Sequence, residues 1–207
     1  MNVIDNFSPY SLIIFDLDGT LVDSSSSILN SLRVAMKKAG IDCKDLDDSL
    51  IGPPINEILL KLNVDKKEVR EEIIKYFRET YDENPVKGAK VYTPIYNILP
   101  SLSTKKLCIA TNKPEVPTQR ILRHFGLTQY FSLVYCSNTS GASWTKSQMV
   151  ESILKKFDVD KSQCLMVGDT KSDYFAAASN QINFAFVRWG YSPEKKYLSE
   201  QASFTMD

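Results

Sequence analysis

Five short apolar runs constrain the fold of this chain more than any other feature. Each is rich in β-branched, aromatic or leucine side chains and is continuously apolar, as in strands buried on both faces. Segments with helical periodicity separate most of them, which predicts an α/β fold with a Rossmann-like parallel sheet and right-handed crossovers. The runs are Leu12–Phe15, Leu107–Ala110, Leu133–Cys136, Cys164–Val167 and Phe184–Val187.

The long interval between the first two runs is almost entirely helical in pattern. Residues 24–40 and 65–81 carry apolar side chains four apart, and the second segment opens with Asp65 and Glu68, a pair resembling a capping box. Thr93 before Pro94 predicts the start of a third helix, which can serve as the first crossover. The earlier helices predict an inserted helical cap domain at 23–88, within a core formed by 1–22 and 89–207.

Composition narrows the classes of partner. The chain has 25 basic and 25 acidic side chains, and this balance argues against a general nucleic-acid or membrane-surface binder. The four cysteines form no C-x-x-C pair, so we expect reduced, mostly buried thiols. No stretch has the features of a signal peptide or the length of a membrane span, and we therefore expect a cytoplasmic protein.

Acidic side chains follow two of the predicted strands. Asp16 and Asp18 come directly after the first run, and their spacing of two places both on one side of an extended chain. Asp169 and Asp173 follow the fourth run. The carboxyl ends of parallel strands meet at one edge of the sheet, where ligands bind. Four carboxylates there would repel one another without a cation, and hard oxygen ligands suit Mg²⁺.

Phosphate-binding groups are expected at the same edge. Thr111 and Asn112 follow the second run, and the helix after Pro114 offers free backbone N–H groups. Lys146 stands at the predicted start of a later helix. Each of these signals is weak alone, because an ordinary helix cap is the commoner role for Thr-Asn and a solvated surface position the usual one for a lysine.

Taken in order, "FDLDGTLVDS", "ATNK", Lys146 and "VGDTKSD" resemble the four motifs of the haloacid dehalogenase superfamily. The chain is most similar to its phosphoglycolate-phosphatase-like members with a helical cap, and the similarity runs over nearly the whole length. The first motif is highly specific and the last fairly specific. The resemblance implies a phosphatase whose partner is a small phosphate ester, 2-phosphoglycolate leading, and a monomer is compatible with the sequence.

The resemblance also implies roles for the acids. Asp16 would be the nucleophile that forms an aspartyl-phosphate, and Asp18 the general acid and base. Mg²⁺ would be held by Asp16, the backbone carbonyl of Asp18, and Asp169, with Asp173 behind them.

The remaining motif residues would handle the phosphoryl group. Thr111, Asn112 and Lys146 would bind its oxygens, and Thr20 would add a supporting hydrogen bond. The loop and helix at 51–59 would face the active site and help to choose the substrate.

Two positions depart from the family pattern. Ser147 stands where many relatives have proline, and Asn180-Gln181 where many have Ala-Gly, so we expect Asn180 to supply the left-handed helix stop.

Two other functions stay open. A phosphomutase or another phosphotransferase is the first alternative, although Thr20 disfavours a mutase. A catalytically silent binding module on the same fold is the second, although Asp16 and Asp18 are both present.

Overall fold

A computed structural model, which describes residues 3–43, 46–139 and 143–207, contains a six-stranded parallel sheet in the order β5-β4-β1-β6-β7-β8. All five predicted strands are confirmed, and β8 is an additional edge strand. The sequence also did not predict a separate two-stranded antiparallel ribbon, β2-β3. The strands are β1 Leu12–Phe15, β2 Val22–Asp23, β3 Lys90–Val91, β4 Lys106–Thr111, β5 Leu133–Cys136, β6 Cys164–Gly168, β7 Asn183–Val187 and β8 Phe204–Met206.

Helices cover both faces of this sheet, which explains why β1 is apolar at every position. Ile13 and Phe15 pack into a cluster with α4 and α5, whereas Leu12 and Ile14 pack into a second cluster with α6 and α7. The predicted Rossmann-like architecture is therefore confirmed. The helices are α1 Ser25–Lys38, α2 Ile55–Lys61, α3 Lys67–Tyr81, α4 Thr93–Ser101, α5 Glu115–His124, α6 Lys146–Phe157, α7 Lys171–Asn180 and α8 Lys195–Gln201.

The helices α1, α2 and α3 pack on one another around their own apolar cluster, which includes Leu32, Ile73 and Phe77. The chain enters and leaves this helical insertion through β2 and β3, where Asp23 is paired with Lys90. The interval at 39–54 is less helical than predicted, because its described part contains only a short turn at Asp48–Leu50. None of the helices in the described ranges is long and apolar enough to cross a bilayer.

Three predictions about helix ends were wrong. The α3 helix is preceded by Lys66, which makes no side-chain cap, so the expected Asp65–Glu68 capping box is absent. Tyr92, not Thr93, precedes α4. The left-handed residue after α7 is Gln181, with φ of 59°, while Asn180 ends the helix and its side-chain amide donates to the Ala176 carbonyl.

Candidate active site

Three buried carboxylates lie together at the carboxyl end of the sheet. Asp16 follows β1 and Asp169 follows the neighbouring strand β6, while Asp173 lies in the first turn of α7. Ligand oxygens of the three side chains lie within 4.8 Å of one another. The side chain of Asp18 lies outside this group and points to other partners.

The carboxylates strongly affect one another. Burial raises the pKa of Asp16 to about 7, with Asp173 and Asp18 adding to the effect and Lys146 opposing it. Burial raises the pKa of Asp169 well above its ordinary value, and the neighbouring carboxylates of Asp173 and Asp16 add to this effect. Lys146 at the start of α6 is the cation among them, with Nζ 3.0 Å from Asp16 Oδ2 and 2.6 Å from Asp173 Oδ1. One ammonium cannot balance three carboxylates, so the cluster favours a further positive charge.

The residues present fit a divalent metal ion. Asp16 Oδ1 is buried and has no hydrogen-bond partner among the described residues. A buried carboxylate oxygen without a partner is costly unless something else binds it. Three convergent carboxylates of this kind offer the hard oxygen ligands that Mg²⁺ prefers.

Asp169 is held from three directions. Thr20 Oγ1 donates to its Oδ1 at 3.1 Å, and the backbone N–H of Tyr191 donates to Oδ2 at 2.8 Å. Gly19, with φ of +82°, and Gly190 lie so close that a Cβ on either would overlap the Asp169 carboxyl group. These contacts fix the orientation of the carboxylate, and they explain why glycine stands at both positions.

Asp18 is held by Lys113, a residue that its sequence context does not mark as part of the site. Lys113 Nζ donates to both Asp18 oxygens, at 2.9 and 2.7 Å, and its side chain is almost fully buried. Burial alone would lower the pKa of Lys113, but Asp18 and Tyr81 beside it raise that pKa above its usual value. Ser24 Oγ also donates to Asp18 Oδ1. The Asp18 carboxyl group is thus fixed from the core and from the start of the helical insertion.

Tyr191 connects Asp169 to the entry of the insertion. Its hydroxyl accepts from the Ser24 N–H at 2.8 Å and donates to Asp23 Oδ1 at 3.1 Å, while its backbone N–H binds Asp169. Nothing in the local sequence around Tyr191 signals this role. It arises because the loop after β7 lies beside the loop after β1, a contact that only the folded sheet shows.

The two predicted phosphate-binding residues after β4 differ in their surroundings. Thr111 is buried at the strand end, and its Oγ1 accepts from the Lys113 N–H at 3.2 Å. Asn112 Nδ2 donates to the Gly52 carbonyl at 3.1 Å, and so it joins the core to the loop before α2. The structure therefore brings Asp16, Thr111, Asn112 and Lys146 to one edge, with the Asn112 amide bonded to the helical insertion.

Comparison with known proteins settles the family. The family model for haloacid dehalogenase-like hydrolases matches residues 13–187, which is most of the chain. The chain belongs to this family. A phosphoglycolate phosphatase from Aquifex aeolicus is 34% identical over 199 residues, covering 94% of this chain and 91% of that protein. This haloacid dehalogenase-like hydrolase is thus similar over most of its length to a protein named as a phosphoglycolate phosphatase.

Two further relatives broaden the comparison. The tyrosine-protein kinase PtkA of Mycobacterium tuberculosis is 34% identical over 184 residues, covering 87% of this hydrolase, which spans only 62% of the kinase's length. A haloacid dehalogenase-like hydrolase from Streptococcus pneumoniae has a solved structure with a TM-score of 0.86 and 26% identity, covering 96% of this chain and 94% of that one. The family thus includes proteins named for different phosphoryl-transfer reactions.

Two adjoining cavities of this hydrolase lie between its sheet and the helical insertion. The outer cavity, of about 1120 Å³, is lined by Lys146 and by Glu57 of α2, among others. The inner cavity, of about 120 Å³, is lined by Asp16 and Asp18 on the sheet side and by Arg78 and Tyr81 of α3 on the other. The α3 residues could not be recognised from sequence as cavity residues, because their helical spacing is equally typical of packing.

Proposed function

We propose that this phosphatase hydrolyses a small phosphate monoester, with 2-phosphoglycolate as the leading candidate, through an aspartyl-phosphate on Asp16 and with Mg²⁺. The observation that carries the proposal is the environment of Asp16. One of its oxygens is paired with Lys146, the other is buried with no partner in the described part of the chain, and the residue lines the inner cavity. A carboxylate in that position can attack a phosphorus atom that enters the cavity.

The metal ion would be held by Asp16, the backbone carbonyl of Asp18 and Asp169, with Asp173 behind them. The close approach of the Asp16, Asp169 and Asp173 carboxylates, within 4.8 Å of one another, supports this arrangement. Bound Mg²⁺ supplies the positive charge that offsets the repulsion between the carboxylates and an anionic phosphate. This function is supported by the contacts that hold Asp169 in one orientation, which come from Thr20, Tyr191, Gly19 and Gly190.

The chain's own residues account for the proton transfers. An oxygen of Asp16 forms a bond to phosphorus while the ester P–O bond breaks, and Asp18 gives a proton to the leaving oxygen. Asp18 then takes a proton from water as that water attacks the aspartyl-phosphate, which releases phosphate and restores Asp16. Lys113 and Ser24 keep the Asp18 carboxyl group in place.

The phosphoryl oxygens would be bound by Lys146, by Thr111 and by Asn112 with the backbone N–H groups that follow. Lys146 is almost fully buried at 3% exposure, so its charge is little weakened by solvent. A cation at this position stabilises the charge that develops on the phosphoryl oxygens.

The helical insertion would act as a cap, with boundaries near residues 23 and 88. Its apolar cluster, to which the core contributes Tyr191, and its connection through the short β2-β3 ribbon support a lobe that can move relative to the sheet. Closure of the lobe would exclude water from the leaving-group side.

A magnesium-dependent assay against several phosphate esters tests the proposal. We expect release of inorganic phosphate by the wild-type protein, and a fall in kcat of at least about 10³-fold for folded Asp16→Asn, because the nucleophile is lost. Asp158→Asn is the matched control, since Asp158 lies at the far end of α6 in the left-handed conformation that asparagine tolerates. Wild-type activity in Asp16→Asn would contradict the proposal.

Transfer to an acceptor other than water is a second candidate, favoured by the similarity to PtkA. The same aspartyl-phosphate would then pass its phosphoryl group to a hydroxyl. The two functions differ in their product, because hydrolysis releases inorganic phosphate and transfer yields a phosphorylated acceptor.

A further inference from the structure

Asn180, the last residue of α7, makes a hydrogen bond to a second helix that the proposed mechanism leaves unused. Its side-chain Nδ2 donates to the Ala176 carbonyl within α7 at 2.8 Å and to the Ser147 carbonyl of α6 at 3.1 Å. The amide has two N–H donors, so one group can make both bonds. Asn180 is buried, and a buried hydrogen bond is costly to lose because water does not readily replace it.

Ser147 and Asn180 are both positions at which the chain departs from the family pattern, and the fold places them in contact. Ser179, beside Asn180, adds a second bond, from its Oγ to the Ser147 Oγ at 3.0 Å. A proline at 147 would lack the hydroxyl, and an alanine at 180 would lack the amide. The contact between α6 and α7 is therefore made here by side chains that the family pattern does not supply.

This contact bears on the candidate active site because Ser147 directly follows Lys146. The two residues open α6, and Lys146 Nζ lies 2.6 Å from Asp173 Oδ1 and 3.0 Å from Asp16 Oδ2. Lysine carries its charge on a flexible four-carbon stem, so partners at the ammonium group alone do not fix its position. The backbone from which the stem starts has to be fixed as well.

The α7 helix holds both ends of the Lys146 side chain. Asp173 in its first turn binds the ammonium group, and Asn180 in its last turn binds the carbonyl of the residue after Lys146. Asp173, Ala176 and Asn180 are three and four residues apart, which places them on one face of α7 over about 10 Å. One rigid element thus fixes both the start of the lysine stem and its charged end.

The other support at the start of α6 lies at the surface. Thr145 Oγ1 accepts from the Gln148 N–H at 3.3 Å, and the Thr145 N–H donates to Gln148 Oε1 at 2.9 Å. Such a capping box stabilises the first turn from within α6, and it does not join that turn to a second helix. The bond from Asn180 makes this connection, and it lies on the buried side of α6.

We propose that Asn180 is a positioning residue for phosphoryl transfer, which holds the start of α6 through the Ser147 carbonyl and so keeps the Lys146 ammonium group where the phosphoryl oxygens would lie. The proposal rests on the phosphatase function proposed above and on the role given there to Lys146. Asn180 lines neither of the two cavities, so it acts on the reaction through Lys146.

The first test is Asn180→Ala, assayed with full-length protein, saturating Mg²⁺ and p-nitrophenyl phosphate. Alanine is a good helix residue and stands at this position in many relatives, so the variant should fold. We expect kcat and kcat/KM to fall together by about 10-fold with KM little changed, because a displaced Lys146 weakens stabilisation of the charge that develops in the transition state.

The matched control is Asn183→Ala. Asn183 Nδ2 also donates to a serine carbonyl, that of Ser162, at 3.2 Å, but Asn183 begins β7 and lies at the end of the strand away from the acids. The same kind of bond is lost in both variants, so the control shows what the loss costs where no active-site residue is attached. Asn183→Ala should keep kcat close to wild type.

The second test places Asn180→Ala in a Lys146→Met background. If Asn180 acts through Lys146, its substitution should not lower kcat further there, because the group that it positions is gone. Lys146→Gln, which keeps a polar side chain, takes the place of Lys146→Met if the latter does not fold. Urea denaturation of each variant measures stability separately, since a helix-capping role alone would lower the free energy of unfolding and leave kcat unchanged.

The outcomes separate this inference from the proposed function. If Asn180→Ala keeps the wild-type kcat, or lowers kcat by the same factor with and without Lys146, the positioning role is wrong and the phosphatase proposal stands. If the wild-type protein releases no phosphate from p-nitrophenyl phosphate or from 2-phosphoglycolate in the presence of Mg²⁺, the proposed function is overturned and the positioning role with it.

Discussion

Lys113 shows how one buried residue can affect both stability and catalysis. It donates two hydrogen bonds to Asp18 while its side chain is only 3% exposed. Removing its charge would leave the Asp18 carboxylate without its main partner, and breaking a buried ion pair in this way typically costs about 3 kcal/mol or more. We therefore predict that Lys113→Met lowers the free energy of unfolding by about 3 kcal/mol, measured by urea denaturation, and lowers kcat as well.

The exposed lysine Lys155, whose Nζ pairs with Glu151 at 2.6 Å, provides the control for that measurement. Solvent-exposed pairs contribute little, so Lys155→Met should leave both the unfolding midpoint and kcat close to wild type. Equal effects from the two substitutions would show that the Asp18 pair has no special importance.

Gly190 makes a second prediction at the residue scale. A Cβ at this position would overlap the Asp169 carboxyl group, so Gly190→Ala must displace a proposed metal ligand. We expect the Mg²⁺ concentration for half-maximal activity to rise by about 10-fold or more, as for substitutions that disturb the support of a metal ligand. Gly126→Ala is the control, because Gly126 has a φ of +65° but no atom within 4 Å of an added Cβ. That variant should lose some stability and keep its Mg²⁺ dependence.

At the scale of elements, α2 presents two neighbouring polar residues in different settings. Glu57 lines the outer cavity, whereas Asn56 Oδ1 accepts from Arg70 Nε at 2.9 Å and does not line either cavity. Glu57 therefore places a negative charge on the path of an anionic substrate. We predict that Glu57→Gln raises kcat/KM for phosphate esters about 2- to 3-fold at low salt, and that the gain disappears at high salt.

Asn56→Ala tests whether α2 matters only through Glu57. It should leave kcat/KM for each ester unchanged, because the Asn56 side chain is directed to Arg70. If Asn56→Ala changes the ranking of substrates while Glu57→Gln does not, our assignment of the cavity-lining position on α2 is wrong.

The elements also show what can be predicted from sequence. The strands and the acids after β1 and β6 follow from local pattern, because a strand buried on both faces has to be apolar and its carboxyl end is where ligands meet. The helix starts were predicted one residue away from their observed positions, at Asp65 and Thr93 instead of Lys66 and Tyr92. Such errors concern single backbone hydrogen bonds, which several neighbouring residues can supply. Tyr191 and Tyr81 reach the site across the fold, and no local pattern encodes that contact.

On the scale of the whole molecule, metal binding should add to stability. The three carboxylates, with an Asp16 oxygen that no described residue binds, come together only in the folded state, so an ion that binds there stabilises that state by mass action. At a Mg²⁺ concentration about 100-fold above its dissociation constant, we predict a rise in Tm of about 5–10 °C relative to EDTA, measured by calorimetry at matched ionic strength.

Asp169→Asn should abolish most of that rise, since it removes one proposed ligand and its charge, whereas Asp158→Asn should keep it. A Tm that is the same in Mg²⁺ and in EDTA would argue against a metal site in the acidic cluster.

The central claim is that Asp16 carries the phosphoryl group, and trapping the intermediate tests it most directly. Asp18→Asn should still accept a phosphoryl group on Asp16 from a reactive, radiolabelled phosphate ester with a good leaving group, but it lacks the base that activates water. We predict that acid-quenched Asp18→Asn protein retains close to one phosphate per chain, in a form cleaved by hydroxylamine, and that peptide mapping places it on Asp16. A double variant, Asp16→Asn with Asp18→Asn, that retains the same label, or label found on another residue, would contradict the account.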